Sequence, residues 1–153
     1  MADGGKLMAG KRGIIFGVAN NRSIAWGITK AVVGQGAEVA LTYQGDALKK
    51  RVDPLAADAG AKLVLPCDVT DTASLDAVFS VVEKEWGAID FLVHAVAFSD
   101  KDQLGGRYVD TTEENFVKTM TISCYSLTAM AKRAEPLMKD GGSILTLTYY
   151  GAE

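Results

Sequence analysis

Residues 17–27 read GVANNRSIAWG, between a β-branched run and a helical pattern of apolar residues. They form a strand-to-helix turn. The N–H groups that open a helix lack intrahelical acceptors and lie at the positive end of its dipole, so such a turn can dock a diphosphate. The turn is not G-x-G-x-x-G. It is longer, and a side-chain donor replaces glycine. Gly17 would let a phosphate approach the backbone, while the Ser23 hydroxyl and the Ile24 N–H could donate to it. Ser23 is equally well placed as a plain N-cap, and one hydroxyl can do both in different states.

Other strand ends carry useful groups. An acid at Tyr43-Gln44-Gly45 would bind the adenosine ribose of a dinucleotide, and Gln44 can still hydrogen-bond a ribose hydroxyl. Lys49, Lys50 and Arg51 could meet a 2′-phosphate or form a solvated helix face, so pattern alone leaves NADH and NADPH open. In Cys67-Asp68-Val69, the Asp68 carboxylate can accept from an adenine amino group while the Val69 N–H meets a ring nitrogen. Asp68 as a cap of the next helix is the alternative. Ala95-Val96-Ala97 is small enough for ribose and nicotinamide to lie against the backbone, or for tight helix–sheet packing. His94, the single histidine, reads as a satisfied core residue. Tyr149 and Tyr150 close the last run. A phenol there can donate to a carbonyl oxygen gaining charge, and alternation leaves only one of the two facing the site. The alternative is aromatic packing at a sheet edge. No metal-ligand spacing occurs, so no metal is expected. The absence of G-x-x-x-x-G-K-[ST] and G-x-S-x-G argues against P-loop enzymes and α/β-hydrolases.

The elements that must position these groups alternate. Strand-like runs at 12–19, 38–43, 61–67, 89–96 and 143–150 are separated by helical patterns at 23–35, 46–59 and 71–86. Pro54 is a weak point in the second of these, where local rules expect a break or a late start. Thr111-x-x-Glu114 is a capping box opening a long helix to about 138. That helix is apolar most of the way around, at Phe116, Val117, Met120, Ile122, Tyr125, Leu127 and Met130, and so needs cover from the sheet and from something else, such as a second subunit. Strand–helix alternation without hairpin signals predicts an α/β fold, a doubly wound parallel sheet of about five strands. Residues 1–10 read as a flexible tail and 11–153 as one dinucleotide-binding domain, truncated before its final helices and strands.

The 153 residues are 48% hydrophobic and 23% charged, with net charge −3. That composition fits one folded domain and excludes dominant disorder and a globally basic nucleic-acid binder. Two cysteines are too few for a disulfide framework and imply reduced thiols. No signal peptide or membrane span is apparent.

Together GVANNRSIAWGI, LTYQGDALKKRV, LPCDVTD, FLVHAVAFSDKDQL, ISCYS and LTLTYYGAE resemble the NADH-dependent bacterial enoyl-acyl-carrier-protein reductases of type II fatty-acid synthesis. These are divergent short-chain dehydrogenases/reductases with a Rossmann-type fold. The resemblance covers roughly residues 7–153. Its distinguishing features are the step from Gly17 to Ser23-Ile24 and VHA in place of the usual Asn-Asn-Ala-Gly. It implies that Gly17, Ser23 and Ile24 bind pyrophosphate, that Gln44 meets the adenosine ribose and favours NADH, and that Asp68 and Val69 contact adenine. It places Val96 beside the nicotinamide ribose and Ser99 near the substrate through its backbone. Tyr149 matches the first of two active-site tyrosines, and Tyr150 a variable neighbour. The implied reaction sends hydride from NADH to the β-carbon of a trans-2-enoyl thioester on acyl carrier protein, with a tyrosine hydroxyl stabilising the enolate. The second tyrosine and a lysine of the family fall beyond Glu153, so residues 1–153 alone are expected to turn over negligibly. A cytoplasmic homotetramer is implied, with no nucleic acid or membrane partner. A non-catalytic dinucleotide-binding module of the same fold is the main competitor. A class I methyltransferase would prefer an acid where Gln44 stands.

Overall fold

The computed structural model describes residues 6–150. Alternation of side chains along β1 (Arg12–Phe16), β2 (Glu38–Tyr43) and β4 (Phe91–His94) loads both faces of the sheet. Ile14, Phe16, Ala40 and Leu92 point to one side, where α3 (Thr72–Trp86) and α5 (Ser126–Ala134) supply Leu75, Val78, Val82, Met130 and Ala134. Ile15, Val39, Leu41 and Val93 point to the other, against Trp26 of α1 (Ile24–Gly34) and Val52 of α2 (Gly45–Ala59). Strands buried on both faces are what a parallel sheet between two helix layers requires. With β3 (Leu63–Pro66) and β5 (Ser143–Thr146), the order is β3-β2-β1-β4-β5 and every pairing is parallel. The winding reverses between β1 and β4, which opens a crevice beyond their carboxyl ends.

Several boundaries differ from the sequence expectation. β1 stops at Phe16 rather than 19 because Gly17 adopts φ +107°. α2 runs unbroken through Pro54. The proline is exposed, so the missing N–H opens no buried gap, and burial of Val52 and Ala56 holds the helix around it. The cap of the fourth helix is Thr112, not Thr111. Its Oγ1 accepts from the Asn115 N–H at 3.2 Å, and Gln103 Oε1 accepts from the Thr112 N–H at 2.9 Å. The expected single helix is α4 (Glu113–Met120), a π turn (Thr121–Tyr125), α5 and a 3₁₀ turn (Glu135–Leu137). Its inner side is buried, while Phe116, Val117, Met120 and Tyr125 remain exposed. β5 ends at Thr146, where its partner β4 ends at His94 and the ladder has nothing further to pair.

Of the expected N-terminal tail, residues 1–5 lie outside the described residues. Residues 6–10 form a turn against the end of α1, with the Met8 N–H donating to the Gln35 carbonyl at 2.9 Å.

Candidate functional site

A cavity of about 360 Å³ opens at the carboxyl ends of the strands. Gly17, Val18 and Ala19 after β1, Gln44 after β2, Cys67–Thr70 after β3 and Ala95–Phe98 after β4 line it, with Lys118 and Ile122 closing one wall. Five residues singled out from sequence, Gly17, Gln44, Asp68, Val69 and Val96, meet there. Ser23 and Ile24 stand at the start of α1, outside the lining. Ser99 lies one residue beyond it, and Tyr149 is set apart on the surface at 92% exposure.

Gly17 is required by its neighbour. A Cβ there would stand 2.0 Å from the Ala95 carbonyl oxygen. The turn that follows is built by Asn20. Its side-chain oxygen accepts from the Arg22 N–H at 2.8 Å, and its carbonyl accepts from the Ser23 N–H at 3.2 Å and the Ser23 hydroxyl at 2.7 Å. This is the local self-bonding for which asparagine suits turns. Ser23 occupies the N-cap position of α1 but makes no side-chain cap bond. Its hydroxyl proton goes to Asn20, so it must rotate away to serve a phosphate. Ile24 opens α1 at 66% exposure, with its N–H among those of the first turn that the helix cannot satisfy.

At the other end, Gln44 Nε2 donates to Asp68 Oδ2 at 2.9 Å. Asp68 Oδ1 accepts from the Thr70 N–H at 2.9 Å and the Thr70 hydroxyl at 2.7 Å. The Thr70 bonds, with Gln44 helping, hold the Asp68 carboxyl below its usual range despite partial burial. A carboxylate offers about four acceptor sites. Three are filled, which leaves one on Oδ2 for an incoming N–H. Asp68 does not cap α3. That task falls to Asp71, which accepts from the Ala73 N–H at 2.9 Å. Lys49 pairs with Asp53 at 2.6 Å, as a solvated helix face would. Burial pushes the Cys67 thiol up to about 11, so it lines the cavity as a neutral group.

The loop after β4 is gripped by the helix that follows. Buried Asn115 accepts from the Asp100 N–H at 2.9 Å and donates to the Ser99 hydroxyl at 3.2 Å, and Thr119 donates to the same hydroxyl at 3.0 Å. The Ser99 side chain is thereby turned inward, leaving its backbone as the group available to a ligand. Lys118 pairs with Asp100 at 2.7 Å and sits 4.9 Å from the centre of the Phe98 ring. His94 is a satisfied core residue, 2% exposed, with Thr146 and Ser126 hydroxyls on its two ring nitrogens. Lys118, Ile122 and Asn20 had no signal in the order of types along the chain beyond Asn-Asn as a turn former. Among the described residues, no three His, Cys, Asp or Glu stand together as a metal site.

The family model described as "Enoyl-(Acyl carrier protein) reductase" matches residues 17–153. The chain belongs to that family. Among enoyl-acyl-carrier-protein reductases it is similar to the protein named "Enoyl-[acyl-carrier-protein] reductase [NADH] 1" of Rhizobium meliloti (strain 1021). The two are 67% identical over 153 residues, which is 100% of this chain and 56% of the relative. The second reductase [NADH] of that organism is 59% identical over 95% of this chain and 54% of its own. The crystal structure of the reductase from Anaplasma phagocytophilum in complex with NAD superposes with a TM-score of 0.94 at 64% identity, covering 97% of this chain and 57% of that one. The chain thus spans little more than half the length of these relatives. The fold match bears out the Rossmann-type parallel sheet expected from sequence.

Proposed function

We propose that the cavity holds a nicotinamide dinucleotide, and that the whole polypeptide is an oxidoreductase. It would reduce the trans-2 double bond of enoyl thioesters on acyl carrier protein with NADH, in type II fatty-acid synthesis. The observation that carries this is the Gln44–Asp68 couple at one end of a crevice lined otherwise by small and apolar groups. The donor set fits such a ligand. The free acceptor site on Asp68 suits an exocyclic amino group, beside the Val69 N–H, and Gln44 Oε1 can accept from a ribose hydroxyl. Gly17, Ser23 and the N–H of Ile24 form the diphosphate end, and Val96 presents backbone to the nicotinamide ribose. Gln44 in place of a cation, with Lys49 held by Asp53, favours NADH over a 2′-phosphorylated coenzyme, as do the names of the relatives.

Bound there, the coenzyme supplies the hydride. The chain's own task is to hold it, exclude water and meet the oxygen that gains charge. Tyr149 would donate to the thioester carbonyl, and the backbone at Ser99 would border the acyl group. Residues 11–153 act as the coenzyme-binding domain. No helix of the described residues is long and apolar enough to cross a membrane. By its likeness to the enoyl-acyl-carrier-protein reductases we assign the protein to the cytoplasm. The bare apolar side of α4 and the π turn suits packing between copies in a homotetramer. The test is titration of the full-length polypeptide with NADH, followed by crotonyl thioester. NADH consumption with loss of the double bond is expected. Failure to bind NADH, or coenzyme density away from the 17–24 turn in a soaked crystal, refutes the reading.

A further inference from the structure

His94 joins three segments: its own strand β4, the helix α5 and the strand β5. Its Nε2 lies 2.7 Å from Ser126 Oγ and its Nδ1 lies 2.9 Å from Thr146 Oγ1. Ser126 has one hydroxyl proton, and it goes to the Ile122 carbonyl at 2.6 Å. Ser126 must therefore accept from His94 Nε2–H. A neutral imidazole with its proton on Nε2 accepts on Nδ1, so Thr146 donates there. The direction of the whole chain follows: Thr146 to His94, His94 to Ser126, Ser126 to Ile122.

Each end of this chain bears on the site. Ile122 lies in the π turn and forms part of the cavity wall. A π turn inside an α-helix is rare and is frequently found at functional sites. Here Ser126 ties it to the carboxyl end of β4, directly before Ala95 and Val96 of the cavity lining. The other ring nitrogen fixes the last residue of β5, three positions before Tyr149.

We propose that His94 is a positioning residue with two separable arms: Nε2 sets the coenzyme wall through Ser126 and the π turn, and Nδ1 sets the departure of the chain toward Tyr149 through Thr146. This rests on the reading of the cavity as the coenzyme site. Burial holds the imidazole neutral, as a single directed chain requires.

The test uses the full-length polypeptide, with Kd for NADH from nicotinamide fluorescence and kcat from crotonyl thioester at saturating NADH. Ser126→Ala is expected to raise Kd about fivefold or more, since it leaves a buried donor unmet, with its larger effect on Kd. Thr146→Val is expected to lower kcat by a similar factor, with its larger effect on kcat. His94→Gln can still donate to Ser126 and should follow the Thr146 variant. His94→Asn can still accept from Thr146 and should follow the Ser126 variant. If the His94 variants do not fold, the two hydroxyl deletions decide the matter alone. Kd and kcat changing in equal proportion in both, or in neither, overturns the proposal and leaves His94 as packing. An unsubstituted polypeptide that binds no NADH overturns the reading of the cavity and this proposal with it.

Discussion

Replacing Gly17 by alanine tests whether the junction of β1 and β4 is the keystone of the site. The backbone there has φ +107°, a region that costs a residue with a Cβ about 1–3 kcal/mol. The new methyl would also stand 2.0 Å from the Ala95 oxygen, whereas ordinary contact begins near 3.4 Å. The Ala95 carbonyl must therefore retreat by more than an ångström. That movement strains the hydrogen bond from the Ala95 N–H to the Phe16 carbonyl, now 3.1 Å. Overpacking costs about 1–3 kcal/mol and a lost buried hydrogen bond about 1 kcal/mol. The total of about 3–7 kcal/mol is a large part of a typical domain's stability of about 5–15 kcal/mol.

The control is Gly27→Ala. Gly27 lies inside α1 and a Cβ there meets nothing within 4 Å. Removing a helical glycine should stabilise by about 0.5–1 kcal/mol. Urea unfolding followed by far-ultraviolet circular dichroism, with NADH titration of each folded variant, reads both effects. The expected result is a large loss of stability and coenzyme affinity for Gly17→Ala and a small gain in stability for Gly27→Ala. A Gly17→Ala protein within about 0.5 kcal/mol of the parent, a typical limit for a neutral surface change, and with parental NADH affinity refutes the reasoning.

Other outcomes follow from the same structure. Cys67 is buried with its thiol raised to about 11, so at pH 8 a thiol reagent should label it only on unfolding; labelling of the folded protein at the rate of the urea-unfolded chain, read by mass spectrometry, would contradict this. Pro54→Ala should raise stability by about 1–3 kcal/mol, because an exposed helix interior regains a backbone hydrogen bond; an unchanged or lower thermal midpoint would count against it. Burial lowers the pKa of His94 below its usual 6.5, so the unfolded chain binds the proton more readily. The stability from keeping His94 neutral is then fully present above about pH 6.5 and is lost as pH falls through that value toward the depressed folded one. Urea midpoints between pH 7.5 and 5 should show this loss in the parent and not in His94→Gln, and parallel curves would sink the claim.

What could be read without coordinates was what depends on local order. Alternating strands and helices imply parallel strands whose carboxyl ends share one rim, so Gly17, Gln44, Asp68 and Val96 had to converge. Lys118 and Ile122 were invisible because they reach the rim from a helix whose approach is set by distant contacts. Asn115 and Ser123 hold the backbone of 98–100, and Ser126 meets His94 from the helix layer on the same face of the sheet. Local rules failed where a longer-range term was larger. Packing of Val52 and Ala56 outweighed Pro54. The capping-box pattern pointed to Thr111, one residue short of Thr112, which Gln103 holds in the cap position. β5 is shorter than its composition suggests, because residues past Thr146 stay β-like where β4 no longer pairs.

The first turn shows why a G-x-G-x-x-G motif is not needed here. Glycines in the shorter loop allow a tight turn and close approach to a diphosphate. In this chain those duties fall to different residues. Asn20 shapes the turn with three hydrogen bonds from its own neighbours. Gly17, expected from sequence to admit the ligand, is demanded in addition by the Ala95 carbonyl of the adjacent strand. On the proposed reading of the cavity, anion recognition would be left to the start of α1, where the helix dipole acts whatever the side chain. Because Ser23 must give up Asn20 before it can donate to a phosphate, its contribution is offset by one hydrogen bond of about 1 kcal/mol. Removing that hydroxyl should therefore weaken NADH binding less than displacing the helix start does, which is why the β1–β4 junction, and not the serine, is the sensitive point of the turn.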